Sequence, residues 1–169
     1  MKIAKVASAQ VQFTSAEIID IEVDLSRGLH AFSIVGMAHK SVEEAKDRVA
    51  AAIKNSGYIS PKSRNQKVVI SLAPAHTRKE GSGFDLGMAV GYLLATGDIV
   101  YDPQNKLFVG ELSLDGKVRE IKGVLPITQK AKEVDIEEVF VPKGNAAEAA
   151  FIKNISGDLM NQKNFLLQL

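Results

Sequence analysis

Apolar and polar residues alternate through the first forty positions rather than recurring at helical spacing. The pattern is clearest over residues 17–25, where Ile19, Ile21, Val23 and Leu25 fall on one side and Asp20, Glu22 and Asp24 on the other. A period of two is the signature of a half-buried strand. Residues 6–13 read as its partner, with Thr14-Ser15 as the turn, and residues 32–36 read as a third strand. The spacing predicts an N-terminal antiparallel sheet.

The period then lengthens. Ser41-Val42-Glu43-Glu44 has the form of a capping box, with the Ser41 hydroxyl toward the Glu44 amide and Glu44 reaching back. Val42, Ala45, Val49, Ala52 and Ile53 form one apolar stripe, and Asn55-Ser56-Gly57 supplies a left-handed stop. After a polar connection over residues 61–66, the run Lys67-Val68-Val69-Ile70-Ser71-Leu72 suits a strand buried on both faces, the expected centre of the sheet. The helix predicted over residues 84–95 is apolar nearly all round, and Gly83, Gly87, Gly91 and Ala95 recur every four residues along it. Interior glycines weaken a helix by about 1 kcal/mol each relative to alanine, so close packing of that stripe on a neighbour is the expected compensation.

Residues 107–110 and 117–121 flank Asp115-Gly116, a dipeptide suited to a tight hairpin. Pro126 opens a helix striped by Val124, Ile127, Ala131 and Val134, followed by a strand at residues 138–141 and a short helix capped by Asn145. Beyond Lys153 the pattern weakens, ending in the apolar Phe165-Leu166-Leu167-Gln168-Leu169. These elements describe a single mixed α/β domain over residues 1–153, with residues 154–169 as a tail or the start of a linker.

Composition narrows the chemistry. With 21 basic and 20 acidic residues the net charge is only +1, so no global field draws nucleic acid or anionic membrane. The absence of cysteine excludes disulfides, thiolate catalysis and cysteine-ligated zinc. No apolar run reaches the ~18 residues of a membrane span, and the N-terminus lacks the apolar core of a signal peptide. A cytoplasmic protein with no membrane partner is expected. His30, His39 and His76 lack metal-ligand spacing. The stretch from Gly110 to Gly116-Lys117 imitates a phosphate-binding loop but fails it. Five residues rather than four separate the glycines, and Val118 stands where a magnesium-holding hydroxyl is required.

Several motifs together carry a family likeness: Ser26-Arg27-Gly28-Leu29 with Phe32-Ser33-Ile34-Val35-Gly36, Ala51-Ala52-Ile53-Lys54-Asn55-Ser56-Gly57, Ser71-Leu72-Ala73-Pro74-Ala75, Arg78-Lys79-Glu80-Gly81-Ser82-Gly83-Phe84-Asp85-Leu86, Gly110-Glu111-Leu112-Ser113-Leu114-Asp115-Gly116 and Pro142-Lys143-Gly144-Asn145-Ala146-Ala147-Glu148-Ala149-Ala150. In this order they resemble the N-terminal domain of the ComM/YifB family, magnesium-chelatase-like AAA+ ATPases. The resemblance implies the ribosomal-protein-S5 domain-2-like fold shared with the proteolytic domain of Lon and the C-terminal domain of RadA. It implies, too, an ATPase module beyond this chain that binds ATP and magnesium. As a motor driving DNA branch migration, the full-length protein would serve natural transformation and recombination as a homo-oligomer, by analogy a hexamer.

Lon sets its serine nucleophile in a Lys-Asp-Gly-Pro-Ser-Ala-Gly turn and its lysine base in a Gly-Gly-Leu-Lys stretch. The resemblance puts Gly83 at the serine position and Leu125 at the lysine position, and neither can perform serine-lysine catalysis. A domain without catalytic, cofactor or metal residues is the expectation. The competing reading shifts register, taking Ser82 as nucleophile with Lys79 or Lys122 as base; a serine opening a helix is more often a cap. Asp85 reads as a partner of the helix dipole rather than a functional carboxylate. For DNA or partner contact the candidates are Lys62, Arg64 and Lys67, with Arg78 and Lys79 expected at the same sheet end. A free-standing nucleic-acid-binding module is a further alternative, although no aromatic residues interleave these basics. No residue grouping suits a tetrapyrrole or its metal.

Overall fold

The computed structural model describes residues 3–152 and, as backbone, Ser156–Met160. The elements run β1 (Ala4–Gln12), β2 (Ser15–Arg27), β3 (Ala31–Val35), α1 (Lys40–Glu43), α2 (Ala45–Asn55), β4 (Gln66–Ala73), α3 (Asp85–Thr96), β5 (Lys106–Phe108), β6 (Glu111–Leu112), β7 (Val118–Arg119), α4 (Val124–Glu133), β8 (Glu138–Pro142), α5 (Ala146–Ala149) and β9 (Ser156–Met160). Seven strands form one mixed sheet in the order β3-β4-β2-β1-β5-β8-β9, and β6 pairs with β7 in a separate two-stranded ribbon. The α/β class read from the sequence is the class observed.

Alternation in β1 and β2 works as expected. The two strands form an antiparallel hairpin from Ala4↔Val23 to Gln12↔Ser15. Val6, Ile19, Ile21 and Val23 turn to one face, which α2 and α3 cover, while Ala9 and Ala16 turn to the other, where Val124, Ile127 and Ala131 of α4 meet them. The glycine stripe of α3 lies directly on this hairpin. A Cβ at Gly87 would stand 2.7 Å from Ile21 Cδ1, and one at Gly91 would stand 2.9 Å from Val23 Cγ2.

Four expectations change. β3 pairs in parallel with β4, not with β2, because β4 inserts antiparallel between them. β4 therefore lies second from one edge, and its alternate residues are only half-buried; β1 is the middle strand. The capping box does not form. His39 is the N-cap of α1 through Nδ1, and the Ser41 hydroxyl instead accepts the Gly81 amide at 3.1 Å. Finally, β5 joins the large sheet beside β1 and β8, leaving the Asp115-Gly116 hairpin to β6 and β7. β9, absent from the sequence reading, extends the sheet in parallel with β8. The Phe165-Leu169 segment lies outside the described residues.

Candidate functional site

The connection from β4 to α3, residues 74–84, is the glycine-rich turn of the sequence, and four separate elements hold it. From β1, the Gln10 side chain donates to the Arg78 carbonyl at 3.0 Å and accepts the Glu80 amide at 3.4 Å. From the segment before α1, His39 N donates to Lys79 O at 2.9 Å while Lys79 N donates to Met37 O at 3.2 Å. Ser41 binds Gly81 as described, and Thr77 donates to Glu17 of β2 at 3.1 Å. At the far end, Gly110 N donates to Gly83 O at 2.9 Å and Leu86 N to Gly110 O at 3.2 Å.

Asp85, in the first turn of α3, has no exposed surface. Its carboxylate accepts Arg48 Nε at 2.7 Å, Arg48 Nη2 at 3.0 Å and the Leu112 amide at 3.2 Å. Burial pushes the carboxyl up to about 6, and Glu111 adds to the rise; Arg48 and the Leu112 amide pull the other way without cancelling it. Beyond the helix dipole, the carboxylate thus holds an ion pair to α2.

Between this turn, the β6–β7 ribbon and the start of α4 lies a cleft of about 720 Å³. Its lining includes Gln10, Val11 and Phe13 from the first hairpin, Ser82 and Gly83 from the turn, Glu111, and Ile121 and Lys122 ahead of α4. Ser82 Oγ donates to Glu111 Oε2, whose other oxygen receives Arg119 Nη1 at 3.3 Å. At Gly83 a Cβ would meet only Ile121 Cδ1, at an ordinary 3.7 Å, so the cleft has room for a side chain that the chain does not supply. Leu125 stands at the start of α4 with its amide bonded to Glu148 at 2.8 Å.

The basic residues do not gather. Lys67 lies at the start of β4 and Arg78 beyond its end, so an eight-residue strand, roughly 25 Å at ~3.3 Å per residue, separates the two groups. Lys62 pairs with Asp47 at 2.5 Å, Arg64 with Asp98 at 2.6 Å and Arg78 with Glu80 at 2.9 Å. Lys79 is fully buried, with Nζ donating to the Pro74 carbonyl. Burial lowers its pKa, partly offset by Glu17. This position removes it from the surface patch and keeps it from acting as base to Ser82, because its ammonium is spent inside the turn. Among the described residues no group of three or more histidines and carboxylates could hold a metal ion, and no helix is long and apolar enough to cross a membrane.

Sequence reasoning missed Gln10, Arg48 and Glu111. Gln10 did leave a trace, as a long amide within the apolar alternation of β1; the other two act across long sequence separations.

Residues 21–145 match the family described as subunit ChlI of magnesium chelatase. Competence protein ComM of Haemophilus influenzae is 37% identical over 158 residues, which covers 91% of this chain and 30% of that protein. YifB of Escherichia coli, itself uncharacterized, is 36% identical over 139 residues, covering 82% of this chain and 27% of that protein. An uncharacterized protein of Mycobacterium tuberculosis is 36% identical over 156 residues, covering 92% and 30% respectively. The chain thus spans about three tenths of the length of the relatives it matches. Matched by the family over residues 21–145 and sharing over a third of its residues with these relatives, the chain belongs to the ChlI magnesium-chelatase family, among the ComM and YifB proteins.

Proposed function

We propose that this domain is a Lon-like module without protease chemistry, serving a ComM-type AAA+ ATPase as a scaffold for oligomer assembly and as a point of DNA engagement. The observation that carries the non-catalytic reading is the state of the cleft's one hydroxyl on the turn. Ser82 is bonded to the Glu111 carboxylate, while Gly83, its neighbour at the nucleophile position, offers no side chain and Leu125 offers no base. Serine-lysine catalysis needs an attacking hydroxyl and an amine positioned to take its proton. ATP and magnesium would be bound by the ATPase module, and the motor's work would be movement of DNA branch junctions in transformation and recombination, in the cytoplasm. Under this reading the module contributes to a hexamer, and Lys62, Arg64 and Lys67 supply any phosphate contacts.

Hydrolysis of fluorescent casein and short peptides tests the first claim. The wild type and Ser82→Ala are expected to be equally inactive; turnover that disappears in Ser82→Ala would establish a residual hydrolase instead. Light scattering on the chain tests assembly, and a strict monomer would move that role to the ATPase. Anisotropy with single- and double-stranded DNA across a salt series tests engagement, because phosphate contacts weaken as salt rises. Absence of binding at low salt would remove DNA from the proposal.

A further inference from the structure

β3 is the outermost strand on its side of the sheet, and its ladder runs to β4 alone, from Ala31↔Lys67 to Val35↔Ser71. A strand with one neighbour turns half of its N–H and C=O groups away from it. Among the described residues no hydrogen bond reaches Ala31–Val35 from any element but β4, so that outer row of main-chain groups is free. Natural sheets guard such an edge with charges, a proline, a bulge or a covering segment. Here residues 28–39 contain no Asp, Glu, Lys, Arg or Pro. Ala31 is exposed and Val35 is 47% exposed, and Leu29 before the strand and Met37 after it are open to solvent too.

The order of the residues indicates what pairs there. Counted outward from Ser33, side chains match in kind: Phe32 with Ile34, Ala31 with Val35, and Leu29 with Met37. Strand residues alternate between faces, and the match holds face by face. Phe32 and Ile34 turn into the core beneath α2, while Ala31, Ser33 and Val35 take the opposite face. Two copies laid antiparallel about Ser33 set Ala31 opposite Val35 and Phe32 opposite Ile34 on both sides of the axis, and bring the two Ser33 side chains together on it. A register shifted by two residues loses the match, setting Ser33 against Val35 or Ala31. Arg27 and Lys40, the nearest charges, fall outside the paired stretch. Self-complementarity of this kind is what a two-fold contact requires.

We propose that this edge pairs with a second copy of the chain, β3 against β3 in antiparallel register about Ser33, so that one sheet runs across a two-fold axis. The pairing goes beyond the proposed hexamer. A ring is closed by unlike surfaces meeting head to tail, whereas a two-fold contact joins chains in pairs and is able to couple one ring to another.

Sedimentation velocity of the whole chain, at concentrations up to about 1 mM, reads the association. Positions 31 and 35 face each other across the axis yet stand about 13 Å apart within one copy at ~3.3 Å per residue, so paired substitutions isolate the contact. Ala31→Lys with Val35→Lys sets ammonium against ammonium twice, and Ala31→Glu with Val35→Lys sets opposite charges together twice. The wild type is expected to form a concentration-dependent dimer, the double-lysine variant to weaken it about tenfold or more, and the glutamate–lysine variant to keep it. A chain that stays monomeric throughout overturns the proposal. So does a dimer that persists in the double-lysine variant, which would lie on another surface, and so does equal loss in both variants, which would refute the register. Hydrogen exchange needs no variant: the amides of Ala31–Val35 should slow from dilute to concentrated wild type, and unchanged exchange there in a dimer also overturns the pairing. A dimer without larger species leaves the pairing standing and moves hexamer assembly to the ATPase.

Discussion

Arg48 and Asp85 meet through two hydrogen bonds, 2.7 and 3.0 Å long, that fasten the middle of α2 to the first turn of α3. The carboxylate is wholly buried and the guanidinium side chain is 23% exposed, so the two partners are not equivalent. Removing the cation strands a buried charge, which typically costs ~3–5 kcal/mol; removing the anion leaves a guanidinium that can turn to water. Arg48→Met is expected to lower stability by about 3 kcal/mol at pH 7, and Asp85→Asn by less, in urea unfolding. An Asp85→Asn loss larger than that of Arg48→Met would contradict this asymmetry.

The same pair sets a pH dependence. In the folded state the Asp85 carboxyl keeps its proton up to about 6, whereas in the unfolded chain it releases it near the ordinary value of 3.8. Between those values the unfolded state binds fewer protons, so the stability Asp85 contributes is full below pH ~4 and is lost as pH rises through about 6. The stability of the wild type relative to Asp85→Asn should fall by on the order of 2 kcal/mol between pH 4 and pH 7. Unfolding curves for both proteins at the two pH values measure it, and parallel behaviour would refute the assignment.

Two glycines predict opposite outcomes for the same substitution. Gly36 has φ 105°, and a Cβ there would lie 2.1 Å from the backbone oxygen of Leu72; neither can yield without breaking the β3–β4 pairing. Gly36→Ala should cost at least about 3 kcal/mol. At Gly87 the close atom is Ile21 Cδ1, the end of a flexible side chain, and the helix gains about 1 kcal/mol from alanine. Gly87→Ala should stay within about 1 kcal/mol of wild type by thermal unfolding.

At the hairpin turn Phe13 stands at φ 54° with a fully exposed ring, and Phe13→Gly should stabilise. A left-handed residue with a side chain costs roughly 1–2 kcal/mol, and the exposed ring returns nothing to folding. The melting temperature is expected to rise. A variant that is less stable than wild type would show that the Phe13 ring packs in solution.

What could be read from the sequence followed from how local each interaction is. The period-two pattern of β2 and the glycine stripe of α3 announce themselves within a dozen residues, and both sit where the pattern placed them. Sheet order did not, because the insertion of β4 between β2 and β3 depends on pairing residues such as Asp20 and Ala73 that are distant along the chain. Ser41 shows the same limit on a smaller scale. Its spacing to Glu44 fits a capping box, yet Gly81 from another part of the chain takes the hydroxyl. The glycine-rich turn was legible, but the part Glu111 plays beside it was not, since neither residue type nor spacing marks a side chain that works across a gap. For the basic residues, nearness along the sequence hid that Lys62 and Arg64 lie at the other end of β4 from Arg78 and that each faces a carboxylate.

By name the segment between β4 and α3 is a loop, but β1, β2, the entry to α1 and Gly110, just past β5, all hold it by hydrogen bonds. Such a segment cannot serve as a lid. Its amides at Lys79, Gly81 and Glu80 should exchange with solvent as slowly as those of the strands around it, and the cleft it borders keeps one shape whether or not anything occupies it. Whatever binds here must therefore fit the shape it finds, because the ordering falls on the guest and not on the host.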